Sequence, residues 1–122
     1  MYNLTVTDHF DSSHHLRGYE GACARPHGHR FVVTVTVQSE EVNELGMVVD
    51  FKTVKSILKT RAIDRLDHYD INEVKPFDTI NPTAENLAAW IYDQLSKFPE
   101  PLWGLYSVRV YESPECYIEY MP

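Results

Sequence analysis

Five of the chain's 6 histidines lie within its first 29 residues, and two of them stand in the segment CARPHGHRF at residues 23–31. In an extended backbone His27 and His29 project to the same side, and a third imidazole, from His14 or His15, would complete a three-histidine face. Three neutral imidazoles with one open coordination position are typical of a catalytic zinc site. A bare His-x-His pair more often belongs to a hydrogen-bonded loop, but this clustering favours a metal. The spacing does not choose between His14 and His15.

Cys23 lies four residues before His27 and has two functional interpretations. As a fourth ligand, its thiolate would close the zinc site and make it structural. As a free thiolate beside a cation, it would have a lowered pKa and act as a base or nucleophile. An inert loop cysteine is the weaker interpretation because loop thiols are open to oxidation. Cys116 instead falls in an alternating strand pattern, which predicts a small buried apolar residue.

Carboxylates elsewhere in the chain could assist such a site. Asp67 beside His68 could fix the tautomer of the imidazole and raise its basicity, forming a relay to a thiol. Neighbouring residues on a helix do not face each other, however, and the dipeptide alone is more typical of solvated residues at a helix end. Glu112 continues a strand face that carries Val108 and Val110, so its carboxylate needs donors. The two N–H groups of a guanine or pterin edge would serve, and a solvated charge at a hairpin end is an equal alternative.

Composition and charge limit the class of partner. The chain has 122 residues, a formal net charge of −7, 43% hydrophobic and 24% charged residues, values typical of a globular protein. It lacks the basic character of nucleic-acid-binding proteins, a run of about 20 apolar residues for a membrane span, and an export signal, so we expect a cytoplasmic protein. Arg17, Arg25 and Arg30 surround the histidine-rich segment and leave an anionic small substrate open, although scattered surface arginines explain them as well.

The elements that position these residues follow from periodicity. Alternation predicts strands over residues 2–10 and 31–38, with the Cys- and His-bearing segment as a long connection between them. Asp50 is a predicted N-cap for a helix, and Thr83 for a second one with Glu85 in its first turn. The apolar residues at helical spacing are Phe51, Val54, Ile57, Leu58 and Leu66 in the first helix and Leu87, Trp90, Ile91 and Leu95 in the second.

A hairpin follows the second helix. The sequence PEP at residues 99–101 is expected to end that helix, and residues 107–112 and 116–120 alternate on either side of a turn at Ser113 and Pro114. The order ββααββ predicts one α+β domain over residues 1–122, with a four-stranded antiparallel sheet and two helices on one face. Two sheet edges and one face stay uncovered, so we expect an oligomer.

Six segments, in their order and spacing, resemble the 6-pyruvoyl-tetrahydropterin synthase superfamily over residues 10–112: FDSSHHL, CARPHGH, MVVDF, RLDHYDIN, NPTAENL and VYES. Within it the chain is most similar to the bacterial branch that forms 6-carboxy-5,6,7,8-tetrahydropterin in queuosine biosynthesis. The resemblance implies the tunnelling fold, in which the sheets of several subunits join into a barrel and trimers stack into hexamers with active sites at subunit interfaces.

The resemblance also implies roles for individual residues. The family motif assigns zinc to His14 and excludes His15, and it gives Cys23 the acid–base role with a relay that serves the same or a neighbouring subunit. The full implied set is His14, His27 and His29 for zinc, Cys23, Asp67 and His68 for proton transfer, Glu112 as the pterin anchor, and Thr83 and Glu85 in the pterin pocket. Helix capping alone would also explain Thr83 and Glu85. Ser12 and Ser13 replace the usual alanines and Ile71 the usual leucine, and no functional group is lost.

The implied reaction converts 7,8-dihydroneopterin triphosphate into 6-carboxytetrahydropterin, acetaldehyde and triphosphate. One alternative on the same site stops after loss of triphosphate and gives 6-pyruvoyl-tetrahydropterin. Another is a non-catalytic zinc module in which Cys23 is the fourth ligand. No family motif assigns a role to Arg25 or Arg30.

Overall fold

The computed structural model describes residues 1–97 and 103–122. Its antiparallel sheet has the strand order β1-β2-β3-β4, and three helices, α1 to α3, come between β2 and β3 in the chain. A π-helical turn, Lys59–Ile63, joins α1 to α2. The α+β class, the antiparallel sheet and the two helical regions are therefore confirmed. The bounds are Tyr2–His14 for β1, His27–Ser39 for β2, Gly104–Ser113 for β3, Cys116–Tyr120 for β4, Phe51–Leu58 for α1, Asp64–Leu66 for α2 and Ala84–Ser96 for α3.

The first two strands are longer than their apolar alternation predicts. Pairing of β1 with β2 continues through polar residues to His14 opposite His27. Ser12, on the same strand face as Phe10, is buried and its hydroxyl donates to the Leu66 carbonyl, so the strand stays against α2 without an apolar side chain there. The connection therefore shrinks to residues 15–26, and the histidines lie on paired strands rather than in a loop.

The core lies between one face of the sheet and the helices. Phe10 and Phe31, opposite each other on β1 and β2, are fully buried with ring centroids 4.9 Å apart. Burying one such side chain contributes roughly 1.5–3 kcal/mol. Phe51 is 61% exposed, so its predicted place in the apolar stripe of α1 is wrong. The buried apolar residues around the two phenylalanines include Val33, Val35, Val108 and Val110 from the sheet and Leu58, Leu66, Leu87 and Ile91 from the helices.

Both predicted helix caps are confirmed. The Asp50 carboxylate accepts from the Lys52 N–H at 2.8 Å, and the Thr83 hydroxyl accepts from the Asn86 N–H at 3.1 Å. Each side chain satisfies a first-turn amide that has no partner within its helix. The PEP sequence that was expected to end the second helix lies outside the described residues.

The other face of the sheet is polar. The hydroxyls of Thr5 and Thr36 are hydrogen-bonded at 2.9 Å across β1 and β2. Those of Thr7 and Thr34 are hydrogen-bonded at 3.3 Å. Within the described residues β1 and β4 are the two edges of the sheet. None of the helices described is both long and apolar enough to cross a bilayer.

Candidate functional site

Three imidazoles converge at the end of the β1–β2 ladder. His14 pairs with His27, and His29 pairs with Ser12, so the pleat directs all three rings to the face that also carries Phe31. Each ring offers one ligand nitrogen, and these three nitrogens lie within 4.8 Å of one another. The ring centroids are 4.6 to 5.2 Å apart. This is the spacing of a group that can share one metal ion.

Two of the three rings are oriented by backbone carbonyls. His14 Nδ1 donates to the Pro82 carbonyl at 2.8 Å, and His27 Nδ1 donates to the Arg25 carbonyl at 2.7 Å. A carbonyl only accepts, so each Nδ1 carries the hydrogen and each Nε2 keeps its lone pair. Orientation of this kind is usual for metal-binding histidines.

The protonation of His14 also suits a cation. Burial lowers the pKa of His14, and this outweighs the opposing effects of the Pro82 carbonyl and the Glu112 charge; the neutral ring is the form that binds metal. His27 Nε2 is buried and has no hydrogen-bond partner among the described residues. An orphaned buried acceptor is costly unless something binds it. The donor set of three imidazoles therefore fits a zinc ion.

Gly28 has a smaller role in the cluster than its position between two ligands suggests. A Cβ built on Gly28 would meet the Ser12 carbonyl at 3.8 Å, which is ordinary van der Waals contact. The close approach of β1 and β2 therefore does not require glycine here.

His15 and Cys23 lie outside the three-histidine group. Alternation turns His15 away from His14, and its backbone N–H donates to the Asn72 side chain at 2.9 Å. Cys23 lies in a short 3₁₀ turn, Ala22–Ala24, where it is partly buried and its carbonyl accepts from the Leu16 N–H at 2.8 Å. Within the described chain, its thiol is not a member of the metal-binding group.

Glu112 opens into a cavity of about 450 Å³ between β3, β4 and the start of α3. Thr83 and Glu85 line the same cavity, together with Tyr19 from the β1–β2 connection. Thr83 follows Pro82, whose carbonyl accepts from His14 Nδ1, so the cavity lies next to the imidazoles. Three residues predicted to bind substrate thus share one cavity close to the candidate metal site.

Asp67 and His68 lie beyond the end of α2, where the backbone is no longer helical. Asp67 is extended and His68 adopts a positive φ of 63°, so the neighbouring side chains meet with Asp67 Oδ2 3.0 Å from His68 Nδ1. The prediction that they face apart assumed a helix and is wrong. Asp67 Oδ1 also accepts from the Asp11 N–H at 2.9 Å, and this bond, with His68 assisting, lowers the Asp67 pKa.

His68 opens into a second cavity of about 490 Å³, which His29 and Asp11 also line. Neither Asp67 nor His68 lines the cavity of Glu112. One chain therefore presents His68 of the predicted relay and Glu112, the predicted pterin anchor, in two separate cavities.

A family model described as 6-pyruvoyl tetrahydropterin synthase matches residues 3–122. The chain belongs to the 6-pyruvoyl tetrahydropterin synthase family. It is 39% identical to the 6-carboxy-5,6,7,8-tetrahydropterin synthase of Synechocystis, over 85% of this chain and 81% of that relative. It is 33% identical to the 6-pyruvoyl tetrahydrobiopterin synthase of Dictyostelium discoideum, over 96% of this chain and 93% of that relative.

The same family appears among the solved structures. The 6-pyruvoyl tetrahydropterin synthase of Caenorhabditis elegans superposes with a TM-score of 0.87 at 26% identity, covering 99% of this chain and 95% of that one. The predicted family and the fold of the single chain are therefore confirmed.

Cys116 differs from its prediction as a buried apolar residue. It is exposed and lines the cavity of Glu112. Cys116 is the first residue of an edge strand, next to the turn at Pro114 and Glu115, so its side chain is not covered there. The chain thus carries an exposed thiol, that of Cys116, beside its candidate substrate cavity.

The three arginines near the site differ in the contacts of their side chains. Arg30 forms a salt bridge with Asp11 at 2.9 Å, and Arg17 donates to loop carbonyls at 2.7 and 3.2 Å. Arg25 is exposed, and its side chain has no polar partner among residues 1–97 and 103–122. The contacts of Arg17, and those of Asn72 and Asn81 beside it, were missed at the sequence level; the signals were the asparagines of the RLDHYDIN and NPTAENL motifs.

Proposed function

We propose that this chain is a zinc-dependent enzyme that converts 7,8-dihydroneopterin triphosphate and water into 6-carboxy-5,6,7,8-tetrahydropterin, acetaldehyde and triphosphate, a step of queuosine biosynthesis. The observation that carries the proposal is the group of three imidazoles, two of them oriented by backbone carbonyls, beside the cavity of Glu112. The name of the Synechocystis relative, at 39% identity, supports the same reaction.

The metal would be held by His14, His27 and His29. When bound, zinc supplies Lewis-acid chemistry that makes nearby hydroxyl groups more acidic. The Pro82 and Arg25 carbonyls hold two of the rings in the tautomer that this binding needs.

Glu112 would fix the substrate in the cavity. Its carboxylate can accept two parallel N–H bonds from the amidine-like edge of a pterin, which fixes both position and orientation. Thr83 and Glu85 line the same cavity, and the Glu85 carboxylate has no hydrogen-bond partner within the described residues, so it is available to a ligand.

Proton transfer is assigned to Cys23 together with the Asp67–His68 pair. The thiolate would act as base or acid at the ring carbon and side chain of the substrate. Asp67 holds His68 at Nδ1, which leaves His68 Nε2 to exchange a proton. Cys23 lines neither of the two cavities described above, which makes a contribution from a second subunit reasonable.

In the proposed enzyme, Asp67 and His68 serve the Cys23 of a neighbouring subunit in a hexamer built from two trimers. Support comes from the two free sheet edges, β1 and β4, and from the separation of the His68 and Glu112 cavities in one chain. Co-expression of a Cys23→Ser chain with an Asp67→Asn chain tests this arrangement. Shared sites would restore about a quarter of the wild-type activity in random assemblies, whereas sites within one chain would restore none.

The deciding assay incubates the zinc-loaded protein with 7,8-dihydroneopterin triphosphate and measures acetaldehyde and triphosphate together. Equal release of both is the expected result. The Dictyostelium relative, at 33% identity and named as a 6-pyruvoyl tetrahydrobiopterin synthase, supports a second candidate in which triphosphate leaves and no acetaldehyde forms. No consumption of substrate would overturn both.

A further inference from the structure

Arg17 binds a loop that lies far from it in the chain. Its guanidinium donates to the carbonyls of Phe77 at 2.7 Å and Ile80 at 3.2 Å, and it reaches the Asn72 carbonyl at 3.5 Å. Asn72 lies in a short 3₁₀ turn, Ile71–Glu73, and Phe77 and Ile80 lie in the loop that follows it. Arginine suits the task because its rigid fork carries five N–H donors.

The backbone of Arg17 is fixed to the same loop. Its N–H donates to Asn81 Oδ1 and its carbonyl accepts from Asn81 Nδ2, both at 2.9 Å. The Asn81 carbonyl accepts in turn from Asn86 Nδ2 at 2.8 Å, in the first turn of α3. Asn81 is therefore held from two sides, by the segment after β1 and by α3.

This attachment lies next to a bond that orients a candidate metal ligand. Asn81 is followed by Pro82, whose buried carbonyl accepts from His14 Nδ1. Arg17 lies three residues after His14, so the two chain segments are joined twice within a few residues. The bonds of Arg17 to Asn81 and Ile80 therefore restrain the segment that carries the Pro82 carbonyl next to His14.

We infer that Arg17 is a positioning residue for the metal site: its guanidinium holds the Phe77 and Ile80 carbonyls, and thereby the Asn81–Pro82 segment whose Pro82 carbonyl orients the ring of His14. The inference rests on the metal site of the proposed function. Loss of a hydrogen-bond partner of a metal-binding histidine typically weakens metal affinity by about 10- to 100-fold. Arg17 is exposed and does not itself contact the His14 ring, so an effect near the lower limit, about 10-fold, is expected.

The test measures zinc affinity by competition with a chromophoric chelator in Arg17→Met and Arg17→Lys proteins whose fold is verified by circular dichroism. Arg17→Met should bind zinc about 10-fold more weakly, and Arg17→Lys should lie between it and wild type because one ammonium cannot serve three carbonyls. The visible spectrum of the cobalt-substituted Arg17→Met protein should also change, since the His14 ring is less constrained. Unchanged affinity and an unchanged cobalt spectrum in folded Arg17→Met would overturn the inference.

Two controls separate positioning from general stability. Arg61→Met removes an exposed arginine whose side chain has no polar partner in the described part of the chain. Ile57→Val removes one methyl group from a buried side chain of α1, and it destabilises the fold away from the contacts of Arg17 and Asn81. Both should keep wild-type zinc affinity. An equal loss in Ile57→Val would show that affinity follows stability and would overturn the inference.

Arg17→Lys, Asn81→Ala and the wild-type protein give the remaining outcomes of the zinc-affinity test. Should Arg17→Met not fold, Arg17→Lys carries the test, and wild-type affinity in that variant would overturn the inference. Asn81→Ala should weaken zinc binding in the same direction, and the double variant should lose less than the product of the two effects because both act through one segment. Absence of zinc binding in the wild type would instead overturn the metal site itself.

Discussion

His14 and His27 lie directly opposite each other on β1 and β2, with ring centroids 4.6 Å apart. Cross-strand neighbours on one face are the closest side-chain pairs that an antiparallel sheet offers. The ladder itself therefore brings two candidate ligands together, and the pleat adds His29 two residues along β2. A site built on paired strands is held more precisely than one built on a loop.

Replacement of His27 by Gln should abolish stable zinc binding. His27 is the better choice than His14 because it is only partly buried, so the variant should fold. Affinity should fall by more than about 100-fold, since loss of an outer partner alone costs about 10- to 100-fold. Chelator competition measures the change. His9→Gln, on the polar face of β1, is the matched control, and retention of wild-type affinity in His27→Gln would contradict the assignment.

Alkylation of Cys23 should stop turnover while zinc stays bound. The chain's 2 cysteines complicate this test because Cys116 is exposed beside the Glu112 cavity. We therefore expect the clean result in a Cys116→Ser background, where iodoacetamide reacts with Cys23 alone. Zinc content, measured after desalting, should be unchanged. Release of zinc on alkylation would instead support the module in which Cys23 is the fourth ligand.

Glu112→Gln should lower kcat/KM by about 100-fold, the loss expected when a charge-assisted, two-point hydrogen bond is replaced by a neutral one. Zinc affinity should remain close to wild type because Glu112 is not a member of the three-histidine group. Steady-state kinetics and chelator competition measure the two effects. Glu115→Gln, at the hairpin turn and outside the cavity, serves as control; equal kinetics in both variants would remove Glu112 from the substrate site.

Thr83 allows capping to be separated from substrate binding. Its hydroxyl accepts from the Asn86 N–H, so Thr83→Val should lower the free energy of unfolding by about 1 kcal/mol, and Thr83→Ser should lower it little. Urea denaturation gives these values. Glu85→Gln should leave stability nearly unchanged and raise KM. A wild-type KM in Glu85→Gln would leave Glu85 with only its favourable position near the helix N-terminus.

Much of this fold is predictable because its signals are local. Alternation in β2 identifies Val33, Val35 and Val37 as one buried face, and the caps at Asp50 and Thr83 depend on residues two or three positions away. The histidine cluster is also local in part, because His27 and His29 share a strand. The choice of His14 over His15 needed the family motif, since spacing leaves both open.

Other features depend on contacts that no local pattern contains. The polar ends of β1 and β2 continue as strands because Ser12 binds the Leu66 carbonyl and His68 N–H donates to the Asp11 carbonyl at 2.7 Å. Cys116 alternates correctly yet stays exposed, since its strand is at the edge of the sheet. Arg17 finds its partners 55 to 64 positions away. Each outcome is set by tertiary packing.

Asp67 should give the fold a measurable dependence on acid. The hydrogen bond from the Asp11 N–H, with His68 assisting, holds the Asp67 pKa below its usual value of 3.8. The unfolded chain therefore takes up the proton more readily, so the stabilisation is complete above about pH 4 and is lost as pH falls through the folded pKa. Asp67→Asn cannot titrate. Its free energy of unfolding should lie below that of wild type by at most about 1 kcal/mol at pH 7, because the carboxylate is partly exposed. This difference is called the deficit below.

Urea denaturation of the metal-free proteins between pH 7 and pH 3 measures this deficit. The difference in free energy of unfolding between wild type and Asp67→Asn should stay constant down to about pH 4 and shrink below it. Both proteins also carry His68→Gln, because His68 Nδ1 lies 3.0 Å from Asp67 Oδ2 and its protonation would otherwise contribute to the difference. Asp78→Asn, which removes an exposed carboxylate with no partner among the described residues, should show no such trend. A deficit that grows on acidification would contradict the Asp11–Asp67 bond as the cause.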